Sequence, residues 1–200
     1  TIDWRGQEQD FRTIRLDRTF RGTGIGSQSF GEGGGKGGNV TVEADQLRII
    51  GPRGTISAST TTSGDGGAIK VTAGDLRLEH GGNINSSSLG SGQSGSVSVT
   101  ARGAISLRDG ASITTAATQS TANSILVSAA EGIQLQQSQI TSQAAQDAGE
   151  LRLETTRGNI HLRGSRVISE AGNDGGNIRF NTSLVTLNAS QINANAIRGK

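Results

Sequence analysis

Apolar and polar residues alternate along this chain in short runs, and glycine-rich corners separate the runs. Residues 66–85, GGAIKVTAGDLRLEHGGNIN, show the pattern most clearly. Ile69 and Val71 alternate with polar residues, and Leu76 and Leu78 then begin a second alternation. A period of two residues predicts short strands with one buried face rather than helices. The chain is therefore predicted to be all-β.

The alternating pattern recurs in six units along the chain. These units begin at Gly37, Gly66, Ser94, Ala122, Ala148 and Gly175. In the first strand the aligned apolar pairs are Val40/Val42, Ile69/Val71, Val97/Val99, Ile125/Val127, Leu151/Leu153 and Ile178/Phe180. In the second they are Leu47/Ile49, Leu76/Leu78, Ile105/Leu107, Ile133/Leu135, Ile160/Leu162 and Val185/Leu187. The third strand has one aliphatic residue per unit, namely Ile56, Ile84, Ile113, Ile140, Val167 and Ile192.

Three strands per unit, each with one apolar face, predict a three-sided parallel β-helix of about six regular coils. The units begin 26–29 residues apart, and repeats of 20–50 residues are typical of solenoids. Successive coils are expected about 4.8 Å apart, the spacing of hydrogen-bonded strands. Val71, Val99 and Val127 are then stacked neighbours in one interior. We expect a right-handed coil, as in most parallel crossover connections.

Residues 1–36 are less regular than residues 37–200, which hold the repeats. Trp4, Phe11 and Phe20 lie here among several arginines. Bulky groups of this kind suit an irregular N-terminal coil or cap over the end of the core, and the alternative is an aromatic and arginine contact patch. Residues 24–31 resemble the last strand and corner of a coil. Because the final residues resemble the start of another unit, we expect the repeats to continue in a longer parent protein.

Composition narrows the classes of protein. The chain has 31 glycines, 2% aromatic residues and a net charge of +2 from 19 basic and 17 acidic residues. No basic stripe with interleaved aromatics is present, which argues against nucleic-acid binding. The absence of cysteine excludes disulfides and thiolate metal sites and fits an exported protein that does without disulfides. No apolar run approaches the roughly 20 residues of a transmembrane helix.

The aligned positions show no catalytic cluster. A small residue ends the first strand of each unit, namely Ala44, Ala73, Ala101, Ala129, Thr155 and Thr182. The positions directly after these residues contain no stack of acids, since they are Asp45, Gly74, Arg102, Ala130, Thr156 and Ser183. His80 and His161 occupy different positions in different units, so a shared metal or triad is not expected. Arg48 above Arg77 suits a pair of solvated charges better than a substrate clamp. We predict no catalytic residues, no cofactor and no enzymatic activity.

Polar corners are the remaining candidates for recognition. They follow the third strand of the first five units and span 60–67, 88–95, 117–123, 143–149 and 170–176. The simpler interpretation is that they only change the direction of the chain, and the alternative is that they form a surface for recognition. Asp147 and Asp174 occupy equivalent corners, and a shared cation there is a further alternative.

The unit I-x-S-x-S-x-G-x-G-x-G-G-N-[VI]-x-V resembles the coils of filamentous haemagglutinin-like exoproteins, and the Gly-Gly-Asn form is similar to cyanobacterial members of that family. The residues that carry the resemblance are 27–33, 37–40, 56–58 and 175–178, within a similar region of about 22–200. The resemblance implies a secreted or cell-surface adhesin of a two-partner secretion system. Its parent would be exported through an outer-membrane partner.

The expected function is accordingly a non-catalytic stalk that displays polar loops for attachment to a surface receptor or polysaccharide. One alternative is a carbohydrate-active enzyme of the β-helix type, such as a polysaccharide lyase or hydrolase. Another is a scaffold for an activity that lies elsewhere in the parent chain.

Overall fold

A computed structural model describes residues 14–16, 24–30 and 34–198, and every regular element within them is a β-strand. The strands are β1 Ile14–Leu16, β2 Ile25–Ser29, β3 Val40–Ile50, β4 Thr55–Thr60, β5 Ile69–Glu79, β6 Asn83–Ser88, β7 Val97–Ala101, β8 Ala104–Arg108, β9 Ser112–Ala117, β10 Ile125–Ala129, β11 Gly132–Gln136, β12 Gln139–Ala144, β13 Leu151–Thr155, β14 Asn159–Arg163, β15 Arg166–Ala171, β16 Ile178–Asn181, β17 Val185–Asn188 and β18 Gln191–Ala196. No helix in these ranges is long and apolar enough to cross a bilayer.

The strands form a parallel β-helix of about six coils, as the sequence predicts. Each strand pairs in parallel with the equivalent strand of the next coil. One sheet has the order β16-β13-β10-β7-β5-β8-β11-β14-β17, with β3 and β1 added beyond β5. The other sheet has the order β18-β15-β12-β9-β6-β4-β2. The right-handed sense stays a prediction.

The register stacks equivalent residues directly on one another. Val71 is the partner of Val99, which in turn pairs with Val127. All three side chains are fully buried, and Leu153 continues the same ladder in the next coil. The predicted single interior is therefore confirmed. A one-residue slip in any coil would turn its apolar residues outward, so burial itself specifies the register.

The first two coils differ from the predicted three separate strands. In each of these coils the predicted first and second strands form one continuous strand of 11 residues, which is β3 in the first coil and β5 in the second. Only two residues separate the buried Ala73 from the buried Leu76, whereas three separate Ala101 from Ile105. The additional residue forms a turn that ends β7 before β8 begins. Corner length therefore decides whether the first and second strands of a coil form one continuous strand or two separate strands.

A partial coil precedes the regular ones. In β1, Ile14 pairs with Val42 of β3, and in β2, Ile25 pairs with Ile56 of β4. Residues 25–29 thus occupy the third-strand position that the sequence predicts for them. Trp4, Phe11 and Phe20 lie outside the described residues, so their contribution to a cap or contact patch stays a prediction, as does the boundary at residue 36.

A ladder of serine hydroxyls closes the corner between the second and third strands in the later coils. Ser165 Oγ donates a hydrogen bond to the carbonyl of Arg163 at 2.9 Å and accepts one from the backbone N–H of Ser138 at 3.2 Å. The N–H of Ser165 donates in the same way to Ser190 Oγ at 3.0 Å. Each hydroxyl therefore satisfies one group of its own coil and one of its neighbour.

The residue before each of these serines has a positive φ. The angles are 49° at Gln137, 58° at Gly164 and 48° at Ala189. A side chain in this left-handed region costs roughly 1–2 kcal/mol, which glycine avoids. This one column therefore holds a relaxed residue in the fifth coil and strained residues in the fourth and sixth.

Exchanging glycine at this column is expected to change stability in opposite directions. Gln137→Gly should raise the free energy of unfolding by about 0.5 kcal/mol, because relief of strain exceeds the added unfolded-state entropy. Gly164→Ala should lower it by about 0.5–1 kcal/mol, since the nearest atom to the new methyl is 3.6 Å away and only backbone strain is added. Urea denaturation of both variants measures the difference, and changes of the same sign would contradict the explanation.

The stacked interior predicts a large difference between neighbouring side chains of β11. Leu135→Ala should lower the free energy of unfolding by about 2–5 kcal/mol, because it leaves a cavity between two adjacent coils. Gln134→Ala, at the exposed position beside it, should change stability by less than about 0.5 kcal/mol. Chemical denaturation monitored by circular dichroism compares the two, and equal losses would contradict an inward-facing ladder.

Candidate functional site

The polar corners after the third strands stack into one continuous edge of the rod, which we call the loop column (60–67, 88–95, 117–123, 143–149 and 170–176). Backbone hydrogen bonds join each corner to the next. The N–H of Gly66 donates to the carbonyl of Gln93 at 2.8 Å, and that of Ala148 donates to the carbonyl of Asp174 at 3.0 Å. The corners are therefore part of the regular stacking between coils.

Close backbone approach explains why the loop column is rich in glycine. A Cβ atom on Gly95 would lie 2.0 Å from the carbonyl oxygen of Gly67, and one on Gly90 would lie 1.9 Å from that of Thr62. Real Cβ contacts are essentially never this short. These glycines are thus required by the packing of one corner on the next rather than by chain flexibility.

Buried hydroxyl groups of the third strands fasten the loop column to the body of the rod. The single Oγ–H of Ser86 is shared between the carbonyls of Ala58 and Gly67, at 3.0 and 2.9 Å, and Ser86 Oγ accepts from the N–H of Gly95 at 2.8 Å. Ser142 Oγ accepts from the N–H of Gly149 at 3.2 Å. Buried polar groups are tolerated when they are bonded in this way. The hydroxyls of Ser86 and Ser142 therefore bond the C-terminal ends of three corners to the third strands.

On its outer side the loop column presents mainly short polar side chains. The exposed residues with side chains are Thr61, Ser63, Leu89, Ser91, Gln93, Thr118, Gln119, Gln143, Ala145, Gln146, Asn173 and Asp174. Hydroxyl and amide groups donate and accept hydrogen bonds without a net charge. The edge therefore offers repeated neutral hydrogen-bonding groups about every 4.8 Å along the rod.

Asp65 contributes to the rigidity of the loop column. Its Oδ1 accepts a hydrogen bond from the N–H of Gln93 at 3.1 Å, and its Oδ2 lies 3.2 Å from Lys36 Nζ. The backbone hydrogen bond from Gln93 lowers the pKa of Asp65 below its ordinary value, and the hydrogen bond from Lys36 lowers it further by a smaller amount. The carboxylate thus bridges two coils in its ionised form.

Asp147 and Asp174, the candidate cation pair, do lie in successive coils. Their contact, however, is a hydrogen bond in which the N–H of Asp174 donates to Asp147 Oδ1 at 3.3 Å. Throughout the described part of the chain, no group of three or more His, Cys, Asp or Glu residues is placed to hold a metal ion. Cation binding by the two carboxylates stays an untested alternative.

The arginine pair on the second face is partly neutralised. Arg48 Nη2 lies 2.7 Å from Glu79 Oε2, and both side chains are mostly shielded from solvent. The hydrogen bond from Arg48 lowers the pKa of Glu79, although burial opposes the shift. Arg77 is exposed beside them, and a shallow pocket lies there with Gln46 and Asp75 in its lining. Of the two stacked arginines, Arg48 is therefore held in an ion pair with Glu79, and Arg77 is exposed.

The other sequence candidates are dispersed over the surface. Arg102 reaches past Gly74 to Asp45, two coils away, at 2.9 Å, and both charged side chains are largely exposed. His80 Nδ1 lies 3.3 Å from Asp109 Oδ2, again with both side chains exposed. His161 stacks between Gln134 and Thr186.

The hydroxyl ladders were missed by reasoning from the sequence. Their signal was present as a recurrent Ser or Thr two residues after the third-strand aliphatic, at Ser86, Thr115, Ser142 and Ser169. Alternation shows that these residues face inward, but it does not show that glycine carbonyls and N–H groups of the corners lie within reach. The pairing of Arg48 with Glu79 was missed for a similar reason, since the partners are 31 residues apart.

No protein-family model matches this chain, and neither the curated proteins nor the solved structures include one that is significantly similar to it.

Tight stacking predicts that a side chain added at a packed glycine of the loop column costs stability, whereas a change at an exposed position of the same corner does not. Gly95→Ala should lower the free energy of unfolding by about 1–3 kcal/mol, since its methyl must displace the Gly67 backbone. Ser91→Ala, at an exposed position of the same corner, should have an effect below about 0.5 kcal/mol. Urea titration measures both, and a neutral Gly95→Ala would show that the corners are not packed on one another.

The ion pair of Glu79 predicts a pH-dependent contribution to stability. Because its pKa is lower in the folded chain, the ionised carboxylate stabilises the fold above its ordinary pKa of 4.5 and loses that effect as the pH falls through the lowered value. Glu79→Gln should therefore cost about 1 kcal/mol at pH 6 and less at pH 3. Denaturation at both pH values, with the exposed Glu131→Gln as control, measures this, and a cost that grows at pH 3 would contradict it.

Proposed function

We propose that this chain is a non-catalytic segment of a secreted or cell-surface exoprotein, in which a rigid rod displays the loop column for attachment. The single observation that supports the proposal best is the ordered stacking of the corners. Their backbones bond from coil to coil, while their hydroxyl and amide side chains face solvent. An edge of this kind repeats similar weak contacts at a fixed spacing.

Repetition matters because the individual contacts are weak. One exposed hydroxyl or amide contributes little net binding energy when it exchanges a water molecule for a ligand. Several contacts on a rigid edge act together, because the second and later contacts form at a high effective concentration. A polysaccharide or a glycan-bearing receptor offers a matching series of hydroxyl groups, and we expect either as the partner.

The proposed location and export are based on the resemblance to filamentous haemagglutinin-like exoproteins. A parent protein of that type would leave the cell through an outer-membrane partner. Antibodies against this chain are then expected to label intact cells of the source organism. Labelling only after permeabilisation would contradict the proposed location.

A bead assay tests the attachment. Beads coated with the chain are expected to remain on immobilised neutral and acidic polysaccharides under flow, whereas the chain in solution binds far more weakly. The combined substitution Thr118→Ala, Gln119→Ala and Gln146→Ala in the loop column should reduce retention several-fold. The matched control is Ser98→Ala, Thr100→Ala and Ser128→Ala on the outer side of β7 and β10, and an equal reduction by this control would contradict a loop-column site.

The same polysaccharides separate the proposal from the enzymatic alternative. Incubation with the soluble chain should produce no new reducing ends and no unsaturated sugars. Release of either product would identify a carbohydrate-active enzyme and overturn the non-catalytic assignment.

A further inference from the structure

The outer side of the second strands carries more arginine than acid. Its arginines are Arg48, Arg77, Arg108 and Arg163, whereas its acids are Asp75 and Glu79. Glu79 is already bonded to Arg48 at 2.7 Å. Within the described part of the chain, neither Arg77 nor Arg108 forms an ion pair. Two guanidinium charges on this face are therefore not balanced by a carboxylate.

These two arginines lie close together in successive coils. Ser106 is stacked directly on Arg77 in the next coil. Arg108 Nε donates a hydrogen bond to Ser106 Oγ at 3.1 Å, which holds the guanidinium group of Arg108 on the side of Arg77. Both arginine side chains are exposed, and their other N–H groups have no partner among the described residues. We call Arg77, Ser106 and Arg108 the arginine site.

The charges of the arginine site favour an anionic ligand. Successive coils are about 4.8 Å apart, and like charges on neighbouring strands repel one another. An anion between the two guanidinium groups relieves the repulsion and accepts charge-assisted hydrogen bonds from both. A carboxylate is planar, so its two oxygens match the fork of one guanidinium group and keep lone pairs for the other. The arginine site therefore suits a carboxylate.

The two acids of this face are held by other partners and leave the arginine site accessible. Glu79 is bonded to Arg48, and Asp75 Oδ1 accepts a hydrogen bond from the N–H of Ala104 at 2.9 Å. Asp75 and Gln46 line the shallow pocket on the side of Arg77 that faces the first coil. Carboxylate and amide groups form hydrogen bonds with hydroxyls. The pocket thus suits the hydroxyl groups of a sugar beside the charged one.

From these features we propose that the arginine site binds the carboxylate of a uronic acid residue, while the pocket beside Arg77 binds hydroxyl groups of the same sugar chain. The ligand is then an acidic polysaccharide rather than a neutral one. Its polymeric form rests on the proposed attachment function, whereas recognition of the carboxylate rests on the arginine site alone. The arginine site lies on the second strands and is separate from the loop column, which follows the third strands.

NMR titration of the 200-residue chain with trigalacturonate tests the arginine site directly. We expect the Nε–H signals of Arg77 and Arg108 to shift, and the methyl ester of the same trisaccharide to leave them unchanged, because esterification removes the charge. Arg77→Gln combined with Arg108→Gln should weaken binding roughly tenfold. The matched control is Arg157→Gln combined with Arg166→Gln, which removes two exposed arginines of the fifth coil. Equal weakening by both pairs, or equal shifts with the ester, would overturn the proposal.

Two further titrations separate directed recognition of a carboxylate from attraction by charge alone. Arg77→Lys keeps the positive charge but lacks the planar fork, so it should weaken binding of trigalacturonate about threefold. A sulfated neutral trisaccharide should bind the unchanged chain more weakly than trigalacturonate, because a sulfate group is not planar. Full affinity in the lysine variant, or equal affinity for the two sugars, would contradict a carboxylate site.

The bead assay distinguishes failure of this proposal from failure of the attachment function. Beads coated with the unchanged chain should be retained more strongly on polygalacturonate than on its methyl ester. The paired variant of Arg77 and Arg108 should abolish that difference and keep retention on the ester, whereas the loop-column variant should lower retention on both polymers. Equal retention of the unchanged chain on both polymers would overturn the carboxylate site and leave attachment in place. Retention on neither polymer would contradict attachment, and the trisaccharide titration then decides the arginine site by itself.

Discussion

Parallel pairing in register is the constraint on which the rest of this structure depends. Each residue lies directly above its equivalent in the previous coil, as Val99 lies between Val71 and Val127. A residue is thus selected by its own position and also by the residues above and below it. Aliphatic ladders fill the interior, and equivalent corners of successive coils are forced to lie about 4.8 Å apart. No single coil encloses this interior by itself, so stability arises between neighbours.

The same constraint explains the unusual composition. The described interior consists mainly of Val, Leu, Ile and Ala, which stack in ladders from coil to coil. At the corners the backbones approach so closely that a methyl group on Gly67 or Gly176 would collide with a carbonyl of the previous coil. Serine and threonine hydroxyls then bond the groups that this approach brings into the interior. Glycine content is therefore a result of packing.

The outer surface is under weaker constraint, and its chemistry is correspondingly diverse. Charged residues occur as local pairs, such as Arg48 with Glu79 and Arg179 with Glu150, rather than as an aligned array. The loop column is the exception, because neutral polar groups recur along one edge. A rigid edge with repeated weak contacts suits attachment to an extended partner better than catalysis, which needs a few groups held around one reacting centre.

Alternation and repeat spacing in the sequence determined the strand type, the five apolar positions per coil and the partner of each aliphatic residue, because only one stacking buries them all. They did not determine the continuous strands β3 and β5, which depend on how a corner of two residues bends in the sheet. The links between Ser86 and Gly95, or Arg48 and Glu79, were decided by the tertiary structure alone. Such contacts depend on side-chain reach and direction between coils, and a periodic pattern carries no information about either.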